Sequence, residues 1–296
     1  MHILITGGTG LIGRALTEKL ASEGHTVAIL SRSGGDFTWN VKEHYMDPLA
    51  LQNIDAIVHL AGAGIAEKRW SVARKKEIVD SRVESARLLV DTLVNNKHQV
   101  KTVVSASGIG FYGSDTGEIN CTELSNPGCD FVAECTKEWE KSVDPFSDQG
   151  IRVVKLRTGL VMASQGGIFR VLTRPVYWFI GAILGTGKQW QSWIHIDDLV
   201  EIFHQSLINS SASGVYNAVA PEPIRHGDMI RMIAKKLKRP LIFPAIPTWF
   251  LKIILGEMAD LVTGGNFVSS QKIQKELTFT FKFTSFEEAI KKLTYV

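Results

Sequence analysis

The glycines at the start of the chain constrain its fold more than any other feature. Residues 1–13 read Met-His-Ile-Leu-Ile-Thr-Gly-Gly-Thr-Gly-Leu-Ile-Gly. A short apolar run, Ile3 to Ile5, meets a glycine cluster, and a helical pattern begins at once. Strand, tight turn and helix in direct succession open a βαβ unit. Each glycine then has its own task. Gly7 frees the backbone for the turn, Gly10 lets the main chain approach a pyrophosphate, and Gly13 lets the helix pack close to the strand. The free N–H groups at the helix start, with the helix dipole, favour negative charge there. With a strand before it and a helix after it, the triplet reads as a dinucleotide-binding loop.

The helix continues through Leu11, Ile12, Ala15, Leu16 and Leu20, and Gly24 stops it. Thr26 to Leu30 reads as the second strand. The end of that strand selects the cofactor. An NAD site usually places an acid there for the ribose 2′-hydroxyl. Here the chain reads Leu30-Ser31-Arg32-Ser33, without an acid. Arg32 can stack on adenine and pair with a 2′-phosphate, and the Ser31 hydroxyl can donate to it. The residues therefore predict NADP(H) rather than NAD(H), with a solvated surface arginine as the alternative.

At 296 residues the chain can bury a sizeable core, as one large domain or two modest ones. Its net charge of +3 gives no ground for a nucleic-acid partner. Cys121, Cys129 and Cys135 are odd in number and lack zinc-like spacing, which predicts free thiols in a reducing compartment. The first strand reads from residue 2, and no signal peptide is expected. The most lipid-like stretch, Val176 to Leu184, is too short to span a bilayer. A cytoplasmic protein without a membrane partner is expected.

Strands at Ala56–Leu60, Val100–Ala106 and Ile151–Leu156 alternate with helical segments at Trp70–Val94 and Phe131–Val143. This alternation implies α/β architecture: a Rossmann-type doubly wound parallel sheet with helices on both faces and ligands at the C-terminal ends of its strands. After Gly159 the rhythm changes. Residues 1–160 read as the nucleotide-binding domain. Residues 161–296 read as a smaller, interleaved and mostly helical substrate region. His195–Leu207 and Gly214–Ala218 are expected to return to the sheet.

Four stretches then coincide with a known family: Thr-Gly-Gly-Thr-Gly-Leu-Ile-Gly (6–13), His-Leu-Ala-Gly (59–62), Ser-Ala-Ser-Gly-Ile-Gly-Phe-Tyr-Gly (105–113) and Trp-Ile-His-Ile-Asp-Asp (193–198). The chain resembles the extended short-chain dehydrogenase/reductases, the NAD(P)-dependent epimerases and dehydratases. More narrowly it resembles the atypical "epimerase family", cell-division-inhibitor-like branch. The marks of that branch are Ile65 to Trp70, Ser81-Arg82, Leu156 to Gly159, and Leu255 to Met258. The resemblance implies that Thr9, Gly10, Leu11 and Ile12 line the pyrophosphate and that Ser31 and Arg32 hold the 2′-phosphate. It also implies that Leu60 and Ala61 pack by the adenine and its ribose, and that Leu160 approaches the nicotinamide end. Glu77 and Arg82 could reach the cofactor from the helical segment, or form an exposed helix pair.

One departure stands out. Active members of the superfamily carry Tyr-x-x-x-Lys on one helical face, the lysine lowering the tyrosine pKa and holding the ribose while the tyrosine exchanges a proton. The matching stretch here runs from Phe131 to Cys135, with phenylalanine and cysteine in those two places, and Lys137 lies on another face. Ser107 and Tyr112 are the candidate oxygen partners of a substrate. Their alternatives are a capping hydroxyl and an aromatic packed under the nicotinamide. Cys135 reads as a small buried hydrophobe. His195, Asp197 and Asp198 read as a strand end and a helix start capped by an Asp, not as a metal site. Gly166 to Trp193 reads as part of a substrate lid, with Trp178, Trp190 and Trp193 lining a pocket or filling a core. Trp249, Phe250, Ile253 and Ile254 could cover the small domain or form a homodimer surface. The expected function is an NADP(H)-dependent oxidoreductase or epimerase-like enzyme on an unknown small substrate. The rival is a non-catalytic NADPH-binding regulator.

Overall fold

The computed structural model describes residues 1–294. The first half runs through β1 (His2–Thr6), α1 (Leu11–Ser22), β2 (Thr26–Ser31), β3 (Phe37–Asn40), β4 (Tyr45–Met46), β5 (Ala56–His59), α2 (Val72–Asn95), β6 (Thr102–Gly108), β7 (Asn120–Cys121), α3 (Phe131–Ser142) and β8 (Arg152–Thr158). The second half adds β9 (Leu160–Ala163), α4 (Gly167–Tyr177), β10 (Trp190–Gln191), β11 (Trp193–His195), α5 (Ile196–Ile208), β12 (Gly214–Ala218) and β13 (Ile224–Arg225). It ends with α6 (His226–Leu237), α7 (Thr248–Leu255), α8 (Asp260–Thr263), β14 (Phe267–Val268), α9 (Gln271–Glu276) and α10 (Phe286–Lys292).

Among the described residues the central sheet has eight strands in the order β12-β8-β6-β5-β1-β2-β3-β4. All its pairings are parallel except β3 with β4. Alternation along β1 feeds both faces. Ile3 and Ile5 join Leu16 and Leu20 of α1 and Leu199 and Phe203 of α5 in one cluster. Leu4 joins Leu88, Leu89 and Leu93 of α2 on the other face. The doubly wound parallel sheet read from the sequence is therefore the architecture found.

Several local expectations change. The segment 195–207 reaches the sheet as helix α5 packed on its face, while Gly214–Ala218 joins the sheet as edge strand β12 beside β8. The cap of α5 is His195, not an Asp. Its Nδ1 accepts the Asp197 N–H at 3.2 Å, and Asp198 is turned away to accept the backbone N–H groups of Lys282 and Phe283 at 2.8 and 3.1 Å. Strands β3 and β4 extend the far edge of the sheet beyond anything the alternation suggested. A third core, built after residue 160, gathers Phe169, Trp193, Ile233 and Phe286. Trp193 is thus core, Trp190 stacks on Phe267 at 5.0 Å, and Trp178 stays exposed. Trp249, Phe250, Ile253 and Ile254 of α7 are exposed as well. No helix of the described residues is long and apolar enough to cross a membrane.

Candidate functional site

The site grows from the C-terminal ends of β1, β2, β5 and β6. At Gly7 the backbone turns with φ +71°, and a Cβ there would come within 2.9 Å of the Leu60 carbonyl carbon. A Cβ at Gly13 would be driven into the Gly7 carbonyl and Gly8 Cα, so only glycine lets α1 seat this close to the turn. Gly10 differs from both. It is the N-cap of α1, no side chain caps that end, and a Cβ there would meet only the Gly7 carbonyl, at 3.3 Å. The open side of Gly10 is where main chain and ligand can approach each other, beside the first helical residues Leu11 and Ile12. The Thr9 carbonyl accepts from Arg14 Nη1 at 2.6 Å, which steadies the loop.

Beneath this loop Thr6 ties β1 to β5. Its hydroxyl accepts the N–H groups of Leu60 and Ala61 at 3.2 Å each, and so donates its own hydrogen to His59 Nδ1 at 2.8 Å. The other imidazole nitrogen faces Ser85 Oγ at 3.3 Å, whose hydrogen already goes to the Ser81 carbonyl. The network therefore assigns a neutral His59 with hydrogen on Nε2. Complete burial pushes its pKa down to about 4. His59 is structural, and it fixes where Leu60 and Ala61 lie.

At the end of β2 the Ser31 hydroxyl donates to the Ser33 carbonyl at 2.7 Å. Arg32 is exposed and, among the described residues, has no hydrogen-bond or ion-pair partner. The carboxylate closest in sequence, Asp36, accepts the Ile29 N–H at 2.7 Å and is engaged with the strand itself.

The two candidates on α2 part company. Glu77 is exposed and pairs with the buried Arg74 at 2.8 Å, not with Arg82. Arg82 instead lies against the β5 end, where a Cβ on Gly62 would sit 3.2 Å from its Cγ and Cζ. Its guanidinium stacks on Trp139 at 4.8 Å from the ring centroid. Phe131, at the start of α3, packs edge-on against Trp70 at 4.8 Å. Cys135 is buried, and burial pushes its thiol pKa up.

Ser107 and Tyr112 enter a buried polar network instead of facing open space. Ser107 Oγ donates to Glu140 Oε1 at 2.6 Å. Glu140 receives Arg157 Nε and Nη2 at 2.7 and 2.8 Å, a bidentate ion pair. Arg157 Nη1 donates to the Tyr112 oxygen at 3.0 Å, and Tyr112 donates to Asn217 Oδ1 at 2.7 Å. Phe111 lies over the Arg157 guanidinium, 3.3 Å from its ring centroid. Burial drives the Tyr112 pKa up to about 12, against the pull of Arg157. Glu140, Arg157 and Asn217 were not among the sequence candidates. The one signal for them was Arg157 within the Leu-Arg-Thr-Gly stretch. Leu160 opens β9, half-buried, its N–H donating to the Ser192 carbonyl at 2.9 Å. The Gly166-Gly167 turn of the expected lid rests on Leu11, with a Gly167 Cβ 3.0 Å from Leu11 Cδ2.

This geometry has close counterparts. A model of the NAD dependent epimerase/dehydratase family matches residues 3–131, and a domain of unknown function, DUF1731, matches residues 246–293. The chain is 36% identical to the epimerase family protein SDR39U1 homolog, chloroplastic, of Arabidopsis thaliana, over 98% of this chain and 86% of that protein. The chain belongs to the epimerase family. Among solved structures, the human epimerase family protein SDR39U1 (isoform 2) with NADPH superposes with a TM-score of 0.88 at 28% identity, covering 99% of each chain. A nucleoside-diphosphate sugar epimerase from Corynebacterium glutamicum superposes with a TM-score of 0.81 at 33% identity, over 98% of this chain and 57% of that one. The family is thus NAD(P)-dependent in type.

Proposed function

We propose that the chain binds NADP(H) and acts as a cytoplasmic oxidoreductase or epimerase-like enzyme on a small, sugar- or nucleotide-linked substrate, without a Tyr-x-x-x-Lys pair. The observation that carries the cofactor choice is Arg32: a cation without a protein partner among the described residues, at the end of β2, with no carboxylate free beside it. The cradle fits a dinucleotide, since the Gly10 side of the loop is open while Gly7 and Gly13 are closed by backbone. Thr9, Gly10, Leu11 and Ile12 would face the pyrophosphate, Ser31 and Arg32 the 2′-phosphate, and Leu60 and Ala61 the adenosine. When bound, NADP(H) supplies a hydride to a substrate carbon or accepts one from it. A relative with NADPH bound supports the same choice.

Calorimetric titration with NADPH and NADH tests the reading. Arg32→Ala is expected to weaken NADPH by roughly 2 kcal/mol and to leave NADH nearly unchanged, because only NADPH carries the extra phosphate. Equal weakening of both overturns the 2′-phosphate assignment.

One observation favours a second reading, an NADPH-binding regulator without chemistry. The hydroxyl hydrogens of Ser107 and Tyr112 are both donated inside the protein, Phe131 has none to give, and the Cys135 thiol is buried. Oxidation of bound NADPH by any carbonyl in a metabolite panel supports the enzyme. A panel without any turnover supports the regulator.

A further inference from the structure

We propose that the exposed apolar face of α7, with the loop after α4, docks on an anionic lipid bilayer, where the protein rests without crossing it. The proposal is independent of the cofactor reading above.

α7 inverts the usual pattern of a surface helix. Of its eight residues only Leu251 is buried. Trp249, Phe250, Ile253 and Ile254 share the opposite face and stand exposed, Trp249 to 65%. The chain after α4 and the chain after α6 come up beside them. Ile180, Phe243, Trp249 and Phe250 line one open groove of about 450 Å³. No charged side chain lines it, so it offers little to orient a small polar ligand. Trp178, two residues before Ile180, is 64% exposed. A contiguous apolar surface of this kind marks an interaction site.

The charge around it is of one sign. No Asp or Glu occurs between Asp148 and Asp197, or between Asp228 and Glu257, the two stretches that build the surface. Arg174 on α4, Lys235 on α6 and Lys238 just after it are exposed, and none has a carboxylate partner among the described residues. Arg239 lies over Phe179, 4.6 Å from the ring centroid, which holds a cation at the margin of the apolar face. The carboxylates that follow α7 are engaged: Asp260 pairs with Lys252 at 3.3 Å, and Glu257 pairs with Lys75.

That sign chooses the occupant. A second copy docked about a two-fold axis would set the basic surface against itself. An anionic bilayer accepts both parts of the surface: Trp and Phe rings settle at the headgroup level while Lys and Arg meet the lipid phosphates. The expectation of no membrane partner rests on the shortness of the stretch from Val176 to Leu184, which bears on spanning alone. A surface that lies on one leaflet needs no spanning helix.

Co-sedimentation with vesicles tests the assignment, using phosphatidylcholine alone and phosphatidylcholine mixed with phosphatidylglycerol. The parent protein is expected to sediment with the mixed vesicles only, and to be released by salt. Trp249→Ser combined with Ile253→Ser is expected to weaken that binding about tenfold or more, with the urea midpoint unchanged. Arg174→Gln combined with Lys238→Gln is expected to weaken it several-fold and to flatten its salt dependence. No binding to the mixed vesicles, or binding that the Trp249 and Ile253 substitutions leave intact, overturns the proposal. Equal, salt-independent binding to both vesicles overturns the anionic assignment. A dimer in sedimentation equilibrium that the same two substitutions abolish, without any vesicle binding, gives the face to a second copy and overturns it as well.

Discussion

The two ends of the sheet's C-terminal edge are built on opposite principles. Around β1, β2 and β5 the chain leaves polar groups open: the uncapped start of α1, Arg32 without a partner among the described residues, and spare donors on Arg82. Around β6, β8 and β12 the polar side chains are paired. Ser107, Glu140, Arg157, Tyr112 and Asn217 exchange hydrogen bonds with one another, and Asn217 Nδ2 donates onward to the Ser269 carbonyl at 3.1 Å. Both regions are rich in the residue types that catalysis uses. The difference between them lies in whether donors and acceptors are already paired, and under the function proposed above the paired region is scaffold and the open one the ligand surface.

That contrast can be attacked at its strongest point first. Glu140→Leu strands the buried Arg157 cation and is expected to cost about 3–5 kcal/mol, read as a lower urea midpoint, with NADPH affinity of the folded protein unchanged. A stable variant that had lost NADPH would place the network in the ligand site and erase the distinction.

Acidification comes next. His59 is held neutral, with a folded pKa of about 4 against an ordinary value of 6.5. The unfolded chain takes up the proton first, so this contribution is complete above about pH 6.5 and is lost as pH falls toward 4, by roughly 3 kcal/mol. The acid limb of a stability profile is expected to flatten in His59→Gln. An unchanged limb would mean that the Thr6–His59–Ser85 chain does not hold the loop as described.

The smallest effect sharpens the reading of Tyr112. Tyr112→Phe removes one buried hydroxyl from between Arg157 and Asn217 and is expected to cost about 1–2 kcal/mol of stability. Loss of turnover at unchanged stability would return Tyr112 to the chemistry.

The legible part of this molecule is the local part. Gly7, Gly10 and Gly13 specify turn, approach and close packing within a few residues, and the alternation of Ile3, Leu4 and Ile5 sends neighbours to opposite faces of the sheet. Arg32 is legible because the absence of an acid there can be read directly. Whether Ser107 or Tyr112 has a hydrogen to spare depends on partners far along the chain. Glu140 lies 33 residues from Ser107, and Asn217 lies 105 from Tyr112. No local spacing reveals those contacts, so the sequence offers both residues as candidates. The cap of α5 escapes local reading for a related reason: Asp is a better capping type than His, but the distant backbone of Lys282 and Phe283 claims Asp198, and His195 caps the helix.

The polar network also fixes an order of assembly. Tyr112, Glu140 and Arg157 leave the ribosome well before Asn217, and the edge of β8 stays open until β12 arrives to cover it. A nascent chain that stops short of residue 214 therefore carries an unpaired strand edge and a tyrosine hydroxyl without its acceptor. The first half of the chain, although complete in its glycines and first helices, must wait for a strand from the second half before the edge of its sheet at β8 is covered.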